Sequence, residues 1–469
     1  MCTRLRVSIV GNEGMSPFLV TILDLNLPAM HGHRSKRLML PIAFLLATCT
    51  ADAAPLSLNE ALALAEQNSP ELQANAAQIH AAESASIPAG ALPNPKVYVG
   101  LDNFPVTGNT AGQLNTDNMT MSKIGVMQDI PNAAKRRAQV EVSHAKVDVA
   151  LAQHPIVLLK LRKNTAIAWF NRYYLERKIA LFDGLFSENK LLAEAVLAQI
   201  ASGHRQLADA VLPQQEAAQL DDQRDDLNRD LSKAKSALRR YLGIPSGGGL
   251  DQALTQDAAE RPINAAQLHL HLQHHPELLA FAAESQLADA KIVAAQSLKK
   301  SDMSVEFGYS HRAPQFGDMI GVKLTFELPI FNAHRVDPLI AAAMSEQADI
   351  DAQREIVRRD QINMLENDLA DYAALNRQLE RANLTALPLT QQKVTLQLAS
   401  YQAGNADLSA VLTARRELIE QRLKIITLEN RRAVTAAQLY YVYGGGVDLV
   451  EDQQTALTPS SSRQGALLK

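Results

Sequence analysis

The sequence predicts a mainly α-helical protein with a membrane β-barrel contribution, four strands per protomer, built from a duplicated helix–strand–strand–helix–helix unit. Three observations carry that fold class. Aromatic residues are 5% of 469 and glycines number 22, too few for a self-contained barrel or sandwich. Residues 58–72 align with 264–278, and 120–131 with 318–329, so the chain repeats itself. Between the helical patterns, each half carries two short segments in which apolar and polar residues alternate.

The elements follow in order. LNEALALAEQNSPEL (58–72) and NAAQLHLHLQHHPEL (264–278) each place Pro-Glu-Leu, at Pro70 and Pro276, at the start of a long helical pattern, where proline is tolerated. The first alternating segments set Val97, Val99 and Leu101 against Lys96, Tyr98 and Gly100, and Met303, Val305 and Phe307 against Ser304, Glu306 and Gly308. In the second pair, Ile124, Val126 and Ile130 fall on Val322, Leu324 and Leu328. Strands are expected at about 95–103, 119–131, 302–310 and 318–329. Roughly ten residues span a bilayer when tilted, and the alternation suits lipid on one face and a wet lumen on the other. Four strands cannot close a barrel, and lipid does not tolerate open edges. The barrel must therefore be shared between chains. Two hairpins on a soluble helical protein are the alternative.

Long helices are expected from Asn132 to Ser202, about 105 Å at 1.5 Å per residue, and from Asn332 to about Ala403. Segments 207–242 and 264–298 return the first; 407–443 and 58–88 return the second. Pro155 and Pro388 should kink or interrupt the long runs. Coiled-coil seams read through Leu220, Leu227, Leu231, Ala234, Leu238 and Tyr241, and through Leu412, Ile419 and Ile426 beside Val411, Leu418 and Ile425.

Residues 30–53 read as a secretory signal peptide, with Arg34, Lys36 and Arg37 ahead of the apolar stretch Leu38 to Ala47. The stretch before Met30 is then a spurious extension, and 1–53 is not part of the mature fold. A rival reading makes Leu46-Ala47-Thr48-Cys49 a lipoprotein box. The expected repeats are 54–246 and 263–446, joined by a linker at 247–262 and followed by a disordered tail at 447–469. With 46 basic and 50 acidic residues, no basic field exists for nucleic acid. Both cysteines, Cys2 and Cys49, precede the body of the chain. Neither a P-loop nor a nucleophile elbow nor HExxH occurs, so neither enzymatic activity nor a cofactor is expected.

Several stretches resemble the TolC-like outer-membrane efflux proteins: Leu58-Asn59-Glu60-Ala61 with Pro70-Glu71-Leu72, LPNPKVYVG (92–100), and the strand-to-helix junctions Asp129-Ile130-Pro131-Asn132 and Glu327-Leu328-Pro329-Ile330. The turns Gly203–Leu212 and Tyr401–Leu412 add to the likeness. The resemblance implies a homotrimer in the outer membrane, with a shared 12-stranded β-barrel on a long periplasmic α-barrel. It also implies a passive exit duct joined by a periplasmic membrane-fusion adaptor to an inner-membrane RND-type transporter. LPNP, Asp102 to Gly108 and IGVMQDIPNAAKRR (124–137) look most like the heavy-metal branch, the CzcC- and CusC-like factors. Multidrug efflux or type I secretion is the first alternative, and a periplasmic coiled-coil scaffold the second.

The resemblance assigns the periplasmic aperture and adaptor contact to Gly203, His204, Arg205, Leu207 and Asp209, and to Gly404, Asn405, Asp407 and Leu408. Each group stops a helix at glycine and is expected to restart one with an aspartate in its first turn. The constricting aspartates of the family fall near Ala410 and Thr413, so this chain departs from that acidic ring. Strand parity puts Met121 and Met319 on the lumen face near the outer mouth, with Met119 and Met127 close by; thioethers suit soft ions such as Cu(I). His269, His271, His274 and His275 crowd seven residues, and His271 and His275 share a face if the helix is continuous; a solvated polar turn is favoured there over ligation. Arg136 and Arg137 read as an interface clamp or headgroup contact, with a charged ring at the barrel base as the other reading.

Overall fold

A computed structural model describes residues 55–203, 206–245, 254 and 263–443. The expected leader, most of the linker, the tail, His204 and Arg205 lie outside the described residues.

Helix α1 (Leu58–Asn68) starts in a capping box. Ser57 Oγ accepts the Glu60 backbone N–H at 3.2 Å, and the Glu60 carboxylate accepts that of Ser57 at 2.9 Å. Helix α2 (Pro70–Ser86) follows at once, with Ser69 Oγ accepting from the Leu72 N–H. The second repeat breaks at the matching place. There α5 (Ala265–His271) and a 3₁₀ turn (Leu272–His274) precede α6 (Pro276–Ser297), and His275 Nδ1 accepts from the Glu277 N–H at 3.3 Å. The returning segment 264–298 is thus divided at Pro276, as its proline predicts, because Pro276 lacks an N–H and crowds the preceding turn.

Strands β1 (Lys96–Asp102), β2 (Met121–Ile130), β3 (Met303–His311) and β4 (Met319–Phe326) form one antiparallel sheet in that order. The register sets Tyr98 opposite Gly125, Gly125 opposite Gly308, and Gly308 opposite Gly321. Directly opposed residues share a face, so the sheet sorts cleanly. One face carries Lys96, Tyr98, Lys123, Glu306 and Lys323; the other carries Val97, Val99, Ile124, Val126, Phe307 and Val322, all exposed.

Helix α3 (Ala133–Ala201) runs unbroken for 69 residues, about 104 Å. Pro155 lies inside it without interrupting it, so of the expected kink or interruption the interruption does not occur. Pro155 itself is buried, as are Leu158, Leu159 and Leu161 just beyond it. That packing outweighs one lost helical hydrogen bond. The second run does change geometry at its proline. After α7 (Asn332–Arg335) and α8 (Asp337–Arg381), a π-helical turn (Ala382–Ala386) leads into α9 (Leu387–Gln402). Its wider turn relieves the clash of the Pro388 ring with the carbonyl four residues back. Helices α4 (Leu212–Leu242) and α10 (Leu408–Tyr443) return.

The main core lies midway along the helices. Trp169, fully buried, stacks on Tyr173 at 5.3 Å and donates from Nε1 to the Leu56 carbonyl at 3.3 Å. Ala61, Ala65, Leu238, Leu242, Ala433 and Ala437 pack in the same cluster. Small residues let α1, α3, α4 and α10 approach closely there.

Candidate functional site

Three regions carry the chemistry of the molecule: the inner sheet face, the sheet-to-helix junction, and the far tips of the helices.

The inner sheet face is polar and charge-balanced. Lys96 pairs with Asp129 at 2.8 Å, Lys123 with Asp102, and Lys323 with Glu306 at 3.6 Å. Tyr98 lies flat across the glycine row: a Cβ on Gly125 or Gly308 would come within 2.5 or 2.6 Å of its hydroxyl. That hydroxyl donates to Glu306. Met121, Met127 and Met319 are on this same face by register, opposite Asp102, Lys96 and Ser310. Met119 lies ahead of β2, in the loop, exposed, with its carbonyl accepting from Asn103 Nδ2.

At the junction, Asn132 caps α3 by accepting the Lys135 N–H at 2.8 Å. Asp302, just before β3, accepts from the Asn132 N–H and Nδ2, each at 2.8 Å, and pairs with Lys135 Nζ at 2.7 Å. Partial burial pushes the Asp302 carboxyl up, but the Asn132 and Lys135 donors outweigh it and hold it below its ordinary value. The second junction is built differently. Asn332 opens α7 with no side-chain cap, and Leu328, Ile330 and Phe331 are exposed beside it. Arg136 and Arg137 occupy the first turn of α3 near the Asp302 knot.

At the tips, α3 ends where the Gly203 N–H reaches the Ile200 carbonyl, with φ at +74°. Gly404 ends α9 at φ +79°, and the Asn405 N–H reaches the Ser400 carbonyl at 2.9 Å. Both glycines sit in the left-handed region that disfavours a side chain. The restarts differ. A 3₁₀ helix, Leu207–Val211, contains Asp209 and precedes α4. Asp407, by contrast, precedes α10 rather than lying in its first turn. Repeat-equivalent leucines also part company: Leu207 is 80% exposed, whereas Leu408 is 2% exposed among Leu192, Val196, Tyr401, Val411 and Leu412. At the family's acidic positions, Thr413 is exposed and bonds the Ser409 carbonyl, and Ala410 is half-buried.

The histidine-rich turn is split by the 3₁₀ segment, so His271 and His275 do not lie on one continuous helix. His275 is buried against Tyr443, and burial lowers its pKa, while His269 and His274 are exposed. Among the described residues, no three His, Cys, Asp or Glu side chains are grouped to hold a metal.

Sequence reasoning missed one feature just above the tips. A cavity of about 340 Å³ lies among α3, α4, α9 and α10, lined by Leu192, Leu220 and Leu398 with Asn189, Glu216 and Arg415. Glu216 is only 8% exposed. A glutamate on a returning helix reads as solvated, and only the packing of four helices reveals otherwise.

Comparison with known proteins agrees with this architecture. Residues 250–445 match the family described as outer membrane efflux protein. The cobalt-zinc-cadmium resistance protein CzcC of Cupriavidus metallidurans is 23% identical over 401 residues, covering 84% of this chain and 91% of the relative. A structure of CusC superposes with a TM-score of 0.71 at 20% identity, covering 83% and 92% of the two chains. VceC from Vibrio cholerae gives 0.66 at 18%, covering 82% and 96%. Residues 250–445 thus carry the outer membrane efflux protein match, and the chain shares its fold with the CusC and VceC structures.

Proposed function

We propose that this channel is the exit duct for heavy-metal cations in a tripartite assembly. It works as a homotrimer embedded in outer-membrane lipid, with a periplasmic adaptor and an inner-membrane RND-type transporter. The carrying observation is the four-stranded sheet, apolar on one face and polar on the other, whose outer strands β1 and β4 have one strand neighbour each. Unpaired strand edges are not stable in hydrocarbon, and three such sheets make a closed barrel. The described helices offer no other way across, since none is long and apolar enough to cross a membrane.

The cargo class rests on the named substrate ions of the CzcC relative. Inner-face Met121, Met127 and Met319, with Met119 in the adjoining loop, add soft sulfur contacts for ions leaving the lumen. Met121 and Met319 stand on β2 and β4, two strand spacings apart laterally, and Met319 is level with Lys123, two residues along β2 from Met121, so a passing ion meets them in turn. Adaptor contact falls to Gly203, His204, Arg205, Leu207 and Asp209 and to Gly404, Asn405 and Asp407, with Leu207 as the exposed apolar contact and Leu408 buried behind them. The test is complementation of an efflux-deficient strain that carries the cognate pump and adaptor. Restored tolerance to cobalt, zinc, cadmium, copper or silver supports the reading; restored tolerance to organic dyes alone overturns the metal assignment.

A further inference from the structure

Two buried acceptors line the cavity above the tips. Glu216 Oε2 has no partner, and neither does the Oδ1 of Asn189, which is 6% exposed. The Asn189 amide is oriented by its Nδ2, which donates to the Pro213 carbonyl at 2.9 Å, one turn ahead of Glu216 on α4. Two buried acceptors on one cavity lining each lack a hydrogen bond, and an unsatisfied buried acceptor is destabilising. A single proton resolves both. Protonated Oε2 becomes a donor, and Asn189 Oδ1 is an acceptor without a partner on the lining of the same cavity.

The surrounding charges are few. From α10, Arg415 pairs with Glu188 of α3 at 3.2 Å, and Arg416 donates to Gln219 of α4 at 2.9 Å. Arg422 of α10 lines the cavity wall. From α9, Val394, Leu398 and Gln402 face the cavity, while Lys393 is engaged with Glu417 at 2.6 Å. None of these three arginines is bonded to Glu216.

We propose that Glu216 and Asn189 form a proton-operated latch. With a proton from water on Oε2, the carboxyl donates to Asn189 and ties α4 to α3. Once that proton returns to water, the carboxylate draws Arg415 from Glu188 and the tip relaxes. Burial raises the Glu216 pKa, against the opposing pull of Arg415 and Arg416, which agrees with the geometry. A folded-state pKa above the unfolded value means the latch holds fully below the unfolded carboxyl range. It is lost as pH rises through the raised value.

The consequence for conduction rests on the reading of these turns as the aperture; the latch itself does not. The only native cysteines are Cys2 and Cys49. Spin labels at Leu207→Cys and Asn405→Cys therefore report the separation of the two tips in detergent-extracted protein. Chains are mixed with unlabelled copies to isolate the intrachain distance. Followed across a full titration from acidic to alkaline buffer, the separation should shift as pH rises through the raised Glu216 value. Glu216→Gln, whose amide also donates, should hold the acidic separation throughout. Asn189→Leu should lower the midpoint, and Arg415→Gln should raise it, each on the order of one pH unit. A shift that survives Glu216→Gln, or is missing in the native protein, overturns the latch. Should Glu216→Gln fail to fold, unmoved midpoints in the other two variants overturn it equally. Channel conductance measured separately tests the aperture reading.

Discussion

Helix α3 and the run from α8 through α9 hold the same place in the two repeats, yet they meet different surroundings. Along α3, buried residues recur from Ala138 to Val196, and α2, α4, α6 and α10 pack against it. Along the 45 residues of α8, only Ala343, Gln361, Leu365 and Leu379 are buried, while Leu339, Met344, Ile356 and Met364 are exposed. Two repeats can share one secondary structure while differing in what covers them. The first long helix is the spine of its own protomer; the second presents exposed apolar residues along its flank.

That contrast can be broken most severely at the spine. Trp169→Ala removes a fully buried ring and its bond to Leu56, and should cost about 3–5 kcal/mol, read as loss of protease-resistant protein. At the tips, Leu408→Ala should cost about 2–5 kcal/mol, whereas Leu207→Ala should stay within about 0.5 kcal/mol. If Leu207 is the adaptor contact, its change lowers efflux at normal thermal stability. Equal stability losses at the two leucines would erase the distinction. On the flank, Ile356→Asp should leave protomer helicity by circular dichroism intact while weakening the oligomer on heat-modifiability gels.

The junctions sharpen the same comparison. Asn132→Ala removes a helix cap and should cost about 0.5–2 kcal/mol. Asp302 is depressed below its ordinary value, so its contribution is present above the unfolded carboxyl pKa. It is lost as pH falls through the folded value. Asp302→Asn should flatten that acid-side loss in a thermal melt, whereas Asp337→Asn at the second junction should leave it in place. The smallest effect belongs to the methionines. Replacing Met119, Met121, Met127 and Met319 with Leu keeps volume, so oligomer yield should hold and only copper and silver tolerance should fall.

Much of this was legible in the chain. The alternating segments, the junction motifs Asp129-Ile130-Pro131-Asn132 and Glu327-Leu328-Pro329-Ile330, and the seams through Leu238 and Ile419 are local patterns, and local patterns set periodicity. The proline at 276 announced a helix break because its effect is local too. Pro155 misled because whether a proline interrupts a helix depends on what is packed around it. Asp407 was misplaced by one position, within the usual blur of helix ends.

What the sequence determined by itself is the repeat, the strand parity and the helix-ending glycines, since each follows from backbone preference and side-chain period. What only the tertiary structure decided is which copy of each repeated feature is covered. Leu207 and Leu408 are the same residue at the same repeat position, and Glu216 looks like any helix-surface glutamate. Their exposure is set by neighbours far away in sequence — Leu192, Val196 and Tyr401 around Leu408, Asn189 and Arg415 around Glu216. Burial is a property of helices meeting, and no window of sequence contains it.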